Sequence, residues 1–314
     1  MIVARCPLRI SLCGGGSDLD SYLQKYHYGS VISFPSNLYS YITLFQDKYG
    51  YNKQKKFIIN YTKREEVNQV YDIKNDIARE ALVHFNACHV TLDFHSDVFS
   101  AGSGLASSSA YLIACLKAIA AHKNIELPES TLCQTALEIE RKFNPLTGMQ
   151  DIYGCAMGGF KRLNFYHDAS VTQQPLDVDG NFLKKFNIYL RPTGIRRKST
   201  NVLCTLDTNK TQSFLPLVES MHQAVNNESK KDFLDIINKA WKIKKTLSPL
   251  ILEDKTLCDM DNELTEDESI LAHKLCGAGN GGFFLLFKDS GDDSQHKEDI
   301  KIAASETGVE IINI

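Results

Sequence analysis

The hydrophobic patterns along this 314-residue chain predict an α+β fold. Strand-like apolar runs and helical periodicities are intermixed with no regular strand–helix–strand repeat, which disfavours a doubly wound sheet. A composition of 43% hydrophobic and 23% charged residues is that of a globular chain with ample material for a core. A polar, turn-rich stretch near residues 165–185 separates two halves, giving expected domains of 1–170 and 171–314.

The first strand is expected over residues 1–12, ended by Gly14-Gly15-Gly16, with Ser17-Asp18 as the N-cap of a helix over Leu19–Tyr26. Strands follow at Ser30–Phe34, Leu38–Phe45, Phe57–Tyr61 and His89–His95. Helical spacing marks Asn75–Phe85, Ala106–His122 and Glu129–Phe143, the last ending at Asn144-Pro145. Gly158-Gly159 leads into a strand at Phe160–Tyr166. The second half carries strands at Phe186–Arg191 and Gly282–Phe287, helices around Thr211–Asn226 and Lys231–Leu247, and a charged surface loop at Asp289–Glu298.

A net charge of −3 excludes a general attraction to nucleic acid or anionic lipid. No run approaches the roughly 18 apolar residues of a membrane span, and the N-terminus reads as a strand, not a signal peptide. The nine cysteines form no CxxC pair and lack zinc-ligand spacing, so reduced thiols in a cytoplasmic protein are expected.

The strongest chemical signal is the glycine–serine loop Gly102-Ser103-Gly104-Leu105-Ala106-Ser107-Ser108-Ser109, set between a strand and a helix. Glycines let amides turn inward and the helix start adds free N–H groups, a combination suited to polyphosphate. No lysine follows the last glycine, so this is not a Walker loop, and Mg²⁺ must offset part of the phosphate charge. Downstream, Glu140 and Asp151 could fold back toward the loop, one as a metal ligand and one near an acceptor hydroxyl.

Two further motifs flank these. Arg9, alone in the apolar strand Pro7–Leu12, needs an anionic partner, and Asp18 follows a glycine turn where backbone and ligand can approach. Near the other end, Gly277-Ala278-Gly279-Asn280-Gly281-Gly282 precedes an apolar strand, as if backbone were packed against a ligand or another loop.

In this order the motifs resemble the signatures of the GHMP kinases, the superfamily of galactokinase, homoserine kinase, mevalonate kinase and phosphomevalonate kinase. The similarity runs from Pro7 to Phe287 and is greatest to the bacterial heptose-phosphate kinase branch, through Pro7–Ser11, Gly14–Asp18, Gly148-Met149-Gln150-Asp151 and Thr193-Gly194-Ile195-Arg196. It implies a two-domain fold, with an N-terminal half like ribosomal protein S5 domain 2 and a ferredoxin-like C-terminal half, and the active site between them. It also implies ATP bound on Gly102–Ser109, Mg²⁺ held by Ser108 and Glu140, and Asp151 as the catalytic carboxylate, with Arg9 beside it lowering its pKa or stabilising transferred charge. Acceptor-side positions would be Gly15, Gly16, Ser17, Asp18, Gly148, Gln150, Gly194, Arg196, Arg197, Gly277 and Gly279.

Two departures stand out. Ala106 occupies a position usually glycine, and Met149 one where heptose kinases commonly carry lysine, which puts the exact acceptor in doubt. The cluster Arg196-Arg197-Lys198 could clamp a substrate phosphate instead, or be a solvated basic turn. The expected activity is ATP-dependent phosphorylation of the anomeric hydroxyl of a sugar phosphate, D-glycero-D-manno-heptose 7-phosphate to the 1,7-bisphosphate. The alternatives are a C1 kinase for free fucose, galactose or a uronic acid, and a catalytically silent sensor. Expected partners are small molecules only, with the chain a monomer or homodimer.

Overall fold

The computed structural model describes residues 1–47, 55–99, 102–196, 202–292 and 294–312. Strand β1 (Ile2–Cys13) runs through the glycine turn into α1 (Asp20–Tyr26) and then β2 (Tyr28–Phe45). β2 is one 18-residue strand where two were expected. Pro35 gives the impression of a break, but it lies opposite Arg9 where the β1–β2 register shifts between Pro7 and Arg9. A residue with no N–H is tolerated at such a bulge. Ser36 donates its hydroxyl to the Leu8 carbonyl at 2.9 Å and so satisfies backbone freed there.

The remaining N-terminal elements are β3 (Phe57–Asn60), β4 (Arg64–Val67), α2 (Asp76–His84), β5 (Thr91–Ser96), α3 (Ser107–His122), α4 (Glu129–Phe143), α5 (Met149–Ala156), β6 (Lys161–Tyr166) and β7 (Val171–Pro175). The large sheet has the order β12-β1-β2-β5-β3-β4, where β12 is Glu310–Ile312, with β6 also on β2 and β7 on β6. Among the described residues every pairing in it is antiparallel except β3 with β5. α3 lies across β1 and β2, and its Leu112, Ile113, Ala114, Cys115, Leu116, Ala118 and Ile119 are all fully buried. A helix apolar on every side belongs in the centre of a core, as the sequence pattern implied.

The second layer is a four-stranded antiparallel sheet, β11-β8-β10-β9, built from β8 (Phe186–Pro192), β9 (Ala272–Leu275), β10 (Phe283–Asp289) and β11 (Ile300–Ile302). With it go α6 (Thr208–Thr211), α7 (Phe214–Asn226), α8 (Lys230–Lys245) and α9 (Lys255–Glu266). Phe182, Phe186, Phe233 and Phe287 interlock there with ring centroids 5.1–5.8 Å apart. The chain then returns to the first sheet. β12 (Glu310–Ile312) pairs with β1, and Arg5 meets Glu310 at 2.6 Å. β7 and β12 therefore belong to the large sheet although both follow residue 170.

Candidate active site

A cavity of about 540 Å³ lies between the end of β1, the start of α3, the end of α4, the start of α5 and the second layer. β1 presents alternate residues, Arg9, Ser11 and Cys13, to it, while Leu8, Ile10 and Leu12 go into the core. The same cavity is lined by Gly15, Gly16 and Asp18 of the glycine turn, by Gly102, Ser103, Gly104 and Ala106–Ser109, and by Glu140, Gly148, Gln150, Asp151 and Gly277.

At its centre the Arg9 guanidinium, 3% exposed, donates from Nη2 and Nε to one oxygen of Asp151, at 2.6 and 3.1 Å. Its Nη1 donates to the Gly104 carbonyl at 2.9 Å, which ties the pair to the glycine–serine loop. Burial opposes the arginine charge, but Asp151 outweighs it and the pKa is raised. Asp151 sits in the first turn of α5, a helix that was not foreseen because Gly148, Gly154 and Gly158-Gly159 punctuate it. Gly154 is functional in packing terms: a Cβ there would stand 3.2 Å from the Arg9 Cβ.

The glycine–serine loop turns as a phosphate cradle should. Gly102 and Gly104 have positive φ, and Ala106 precedes α3 in the left-handed region at φ 60°. No side chain caps this helix start, so first-turn N–H groups remain for a ligand. Ser103 and Ser107 hydroxyls bond each other at 2.9 Å, and Ser103 accepts from the Leu105 amide. Across the cleft the second glycine loop meets it, since a Cβ on Gly282 would lie 2.3 Å from the Ser103 carbonyl oxygen.

Glu140 is 1% exposed at the end of α4 and accepts from Ser109 at 2.6 Å. Burial pushes its carboxyl up to about 7; the Ser109 and Ser108 hydroxyls oppose this and the charge of Asp151 adds to it. A buried carboxylate with hydroxyl partners and no cation fits Mg²⁺, a hard ion that takes oxygen ligands. Among the described residues no cluster of three or more His, Cys, Asp or Glu could hold an ion alone.

Asp18 does not cap α1: the cap position is Leu19, with no side-chain bond. Instead Asp18, fully buried, accepts from the Gly16 amide at 3.0 Å, the Gln150 amide at 3.1 Å and Gln150 Nε2 at 2.8 Å. Burial, then the charge of Asp151, raises its carboxyl to about 6 against these bonds. A Cβ on Gly148 would fall 1.9 Å from Asp18 Oδ2, so only glycine permits this approach. Gln150 and Asn144 line the cavity, and their Oε1 and Oδ1 atoms are buried with no hydrogen-bond partner among the described residues.

Other expected positions lie elsewhere. Ser17 is buried and braces the turn, donating to the Gly14 carbonyl at 2.8 Å. Leu105 is a core residue. Gly194, Arg196 and Gly279 do not line the cavity; Gly279 packs on Ile251, and Arg196 lies 5.9 Å from the Phe99 ring centre. Ala101, Arg197 and Lys198 fall outside the described residues. Lining groups that the motifs did not flag are Ile77, Tyr111 and Phe143 on one side, and Leu203, Leu206, Phe214, Leu247, Lys244 and Lys274 on the other. Lys274 stands three residues before Gly277, at the head of the last glycine motif, and was the one with a positional signal.

Comparison with known proteins now bears on this arrangement. Residues 68–159 match the GHMP kinases N terminal domain. The chain therefore carries a GHMP kinase N-terminal domain, and the relatives it matches are phosphotransferases with an alcohol acceptor. A curated relative from Campylobacter jejuni, D-glycero-alpha-D-manno-heptose 7-phosphate kinase, is 28% identical over 92% of this chain and 89% of its own length. The L-fucokinase/L-fucose-1-P guanylyltransferase of Bacteroides fragilis is 28% identical over 60% of this chain, which spans 21% of that longer protein. The crystal structure of a D-glycero-D-manno-heptose 1-phosphate kinase from Bacteroides thetaiotaomicron superposes with a TM-score of 0.78, covering 100% of this chain and 99% of that one, at 20% identity. The GHMP kinase fold expected from the motifs is therefore the fold observed. No helix among the described residues is long and apolar enough to cross a membrane.

Proposed function

We propose that the chain transfers the γ-phosphoryl group of ATP to the anomeric hydroxyl of a sugar phosphate, D-glycero-D-manno-heptose 7-phosphate, giving the 1,7-bisphosphate in the cytoplasm. The observation that carries this reading is the Arg9–Asp151 pair, held between the glycine–serine loop and the Asp18–Gln150 pocket. The heptose kinase relative supplies the acceptor.

In this reading the loop amides and the start of α3 bind the triphosphate. Ser108 and Glu140 would hold Mg²⁺, which neutralises charge on the bridging phosphates. Asp18 and Gln150 orient the sugar. Both Arg9 bonds to Asp151 go to Oδ1, which leaves Oδ2 to take the proton as the acceptor oxygen attacks phosphorus. Arg9 remains charged throughout and offsets negative charge gathering at the transferred group. Residues before position 170 supply every group assigned to the nucleotide and the reacting hydroxyl, which supports an ATP-binding domain of about residues 1–170.

A second reading, a C1 kinase for a free sugar, is favoured by the apolar wall of Leu203, Leu206, Phe214 and Leu247 and by the fucokinase relative. ADP release measured across sugars and sugar phosphates tests both. Turnover confined to unphosphorylated sugars would overturn the first reading, and no turnover with any acceptor would overturn both.

A further inference from the structure

Lys274 is a cavity-lining cation whose charge the proposed reaction leaves unexplained. It is 7% exposed, and its ammonium donates to the Ser11 carbonyl at 2.9 Å and the Leu12 carbonyl at 2.7 Å. The titratable groups that act on it are Cys276, Cys13 and Arg9, with no carboxylate among them. Burial lowers its pKa to about 8. Two neutral carbonyls use two of its three N–H groups but leave a positive charge uncompensated in a place that disfavours it. Such a group calls for an anion.

Its place along β1 says which part of the ligand that anion occupies. Arg9 marks the transfer end, through Asp151 and Gly104. The carbonyls that hold Lys274 lie two and three residues farther on, about 7–10 Å at ~3.3 Å per residue. They lead toward Gly14–Gly16 and Asp18 and away from the glycine–serine loop. An anion there is not the group in transfer, but one carried at the far end of a six- or seven-carbon acceptor. Lys244 brings a second ammonium to the same loop, donating to the carbonyls of Leu275 and Gly277.

We propose that Lys274, supported by Lys244, binds a phosphate monoester on the acceptor at the end remote from the hydroxyl that Asp151 serves. This rests on the sugar-phosphate reading above. The test compares kcat/KM for heptose 7-phosphate and for the same heptose without its phosphate, in the wild type and in Lys274→Met. The wild type should favour the phosphorylated sugar, and the variant should lower that ratio at least about tenfold, the worth of a charge-assisted bond. Equal losses on both acceptors would make Lys274 a strut between β9 and β1 and overturn the proposal, as would no loss. Should the variant not fold, a wild-type ratio near one overturns it alone and leaves the kinase reading standing. Turnover of free heptose only overturns both together.

Discussion

Arg9 grips a single oxygen of Asp151 with two of its nitrogens and uses the third on the Gly104 carbonyl. One buried cation thus fixes both the carboxylate and the loop that faces it, and leaves the second carboxylate oxygen unengaged by arginine. Asp151→Asn keeps the shape but removes the proton acceptor, so turnover should fall roughly 10²–10⁴-fold while ATP affinity changes little. Single-turnover kinetics and nucleotide titration check this. Activity equal to wild type would remove Asp151 from the reaction.

Glu140 gives a pH signature. Its folded carboxyl is raised from near 4.5 to about 7, chiefly by burial, so between those values the folded chain holds a proton that the unfolded chain has lost. Stability of the ligand-free protein is full below about 4.5 and declines as pH rises through 7. Glu140→Gln should flatten that decline in thermal melts between pH 4 and 8. Mg²⁺ binds the deprotonated form, so wild-type affinity for the ion should rise about tenfold from pH 6 to 8. Ser108→Ala should raise the Mg²⁺ requirement at every pH. Magnesium titrations matching the wild type would take both residues out of the metal site.

Gly148 is expected to be intolerant for a reason unrelated to backbone freedom. The added methyl of Gly148→Ala would stand on Asp18 Oδ2. The carboxylate must move, and its bonds to Gln150 go with it. Acceptor KM should rise about tenfold or more, the loss of one or two bonds to a charged group, with nucleotide affinity retained. A KM within twofold of wild type would show that Asp18 does not contact the acceptor.

Ala106 predicts a gain. At φ 60° and ψ 36° an alanine pays a steric cost that glycine avoids. Ala106→Gly should stabilise the protein by roughly 0.5–1 kcal/mol after the entropy of the freer unfolded chain is counted. Denaturant unfolding at fixed pH reads this directly, and a lower midpoint would contradict it.

Much of this site could be read from the sequence because its chemistry is local. The glycine–serine loop, the lone Arg9 in an apolar strand and the glycines before β10 each break a pattern within a few residues. What stayed hidden depends on partners distant in the chain. α9 was missed because its buried stripe is Leu257, Asp261 and Leu264, with a carboxylate where a hydrophobe would signal a helix. Asp261 is buried because Trp241, His273 and Lys245 all donate to it. β9, with His273 and Lys274 buried in four residues, disguised itself in the same way. Asp18 read both as a cap and as an acceptor-side residue; the cap is absent, and its contacts with Gly148 and Gln150, on another element, could not be read locally.

The return of β12 to β1 has a consequence for how the enzyme comes into being. The strand that carries Arg9 has its outer edge closed by residues 310–312, and the Arg5–Glu310 contact spans 305 positions. During synthesis that edge stays open until residues 310–312 have left the ribosome. Pairing over so long a separation is entropically slow. Arg5→Ala or removal of residues 310–312 should therefore show first as a lower yield of folded protein and a slower final refolding phase, before any change in the chemistry of the mature enzyme.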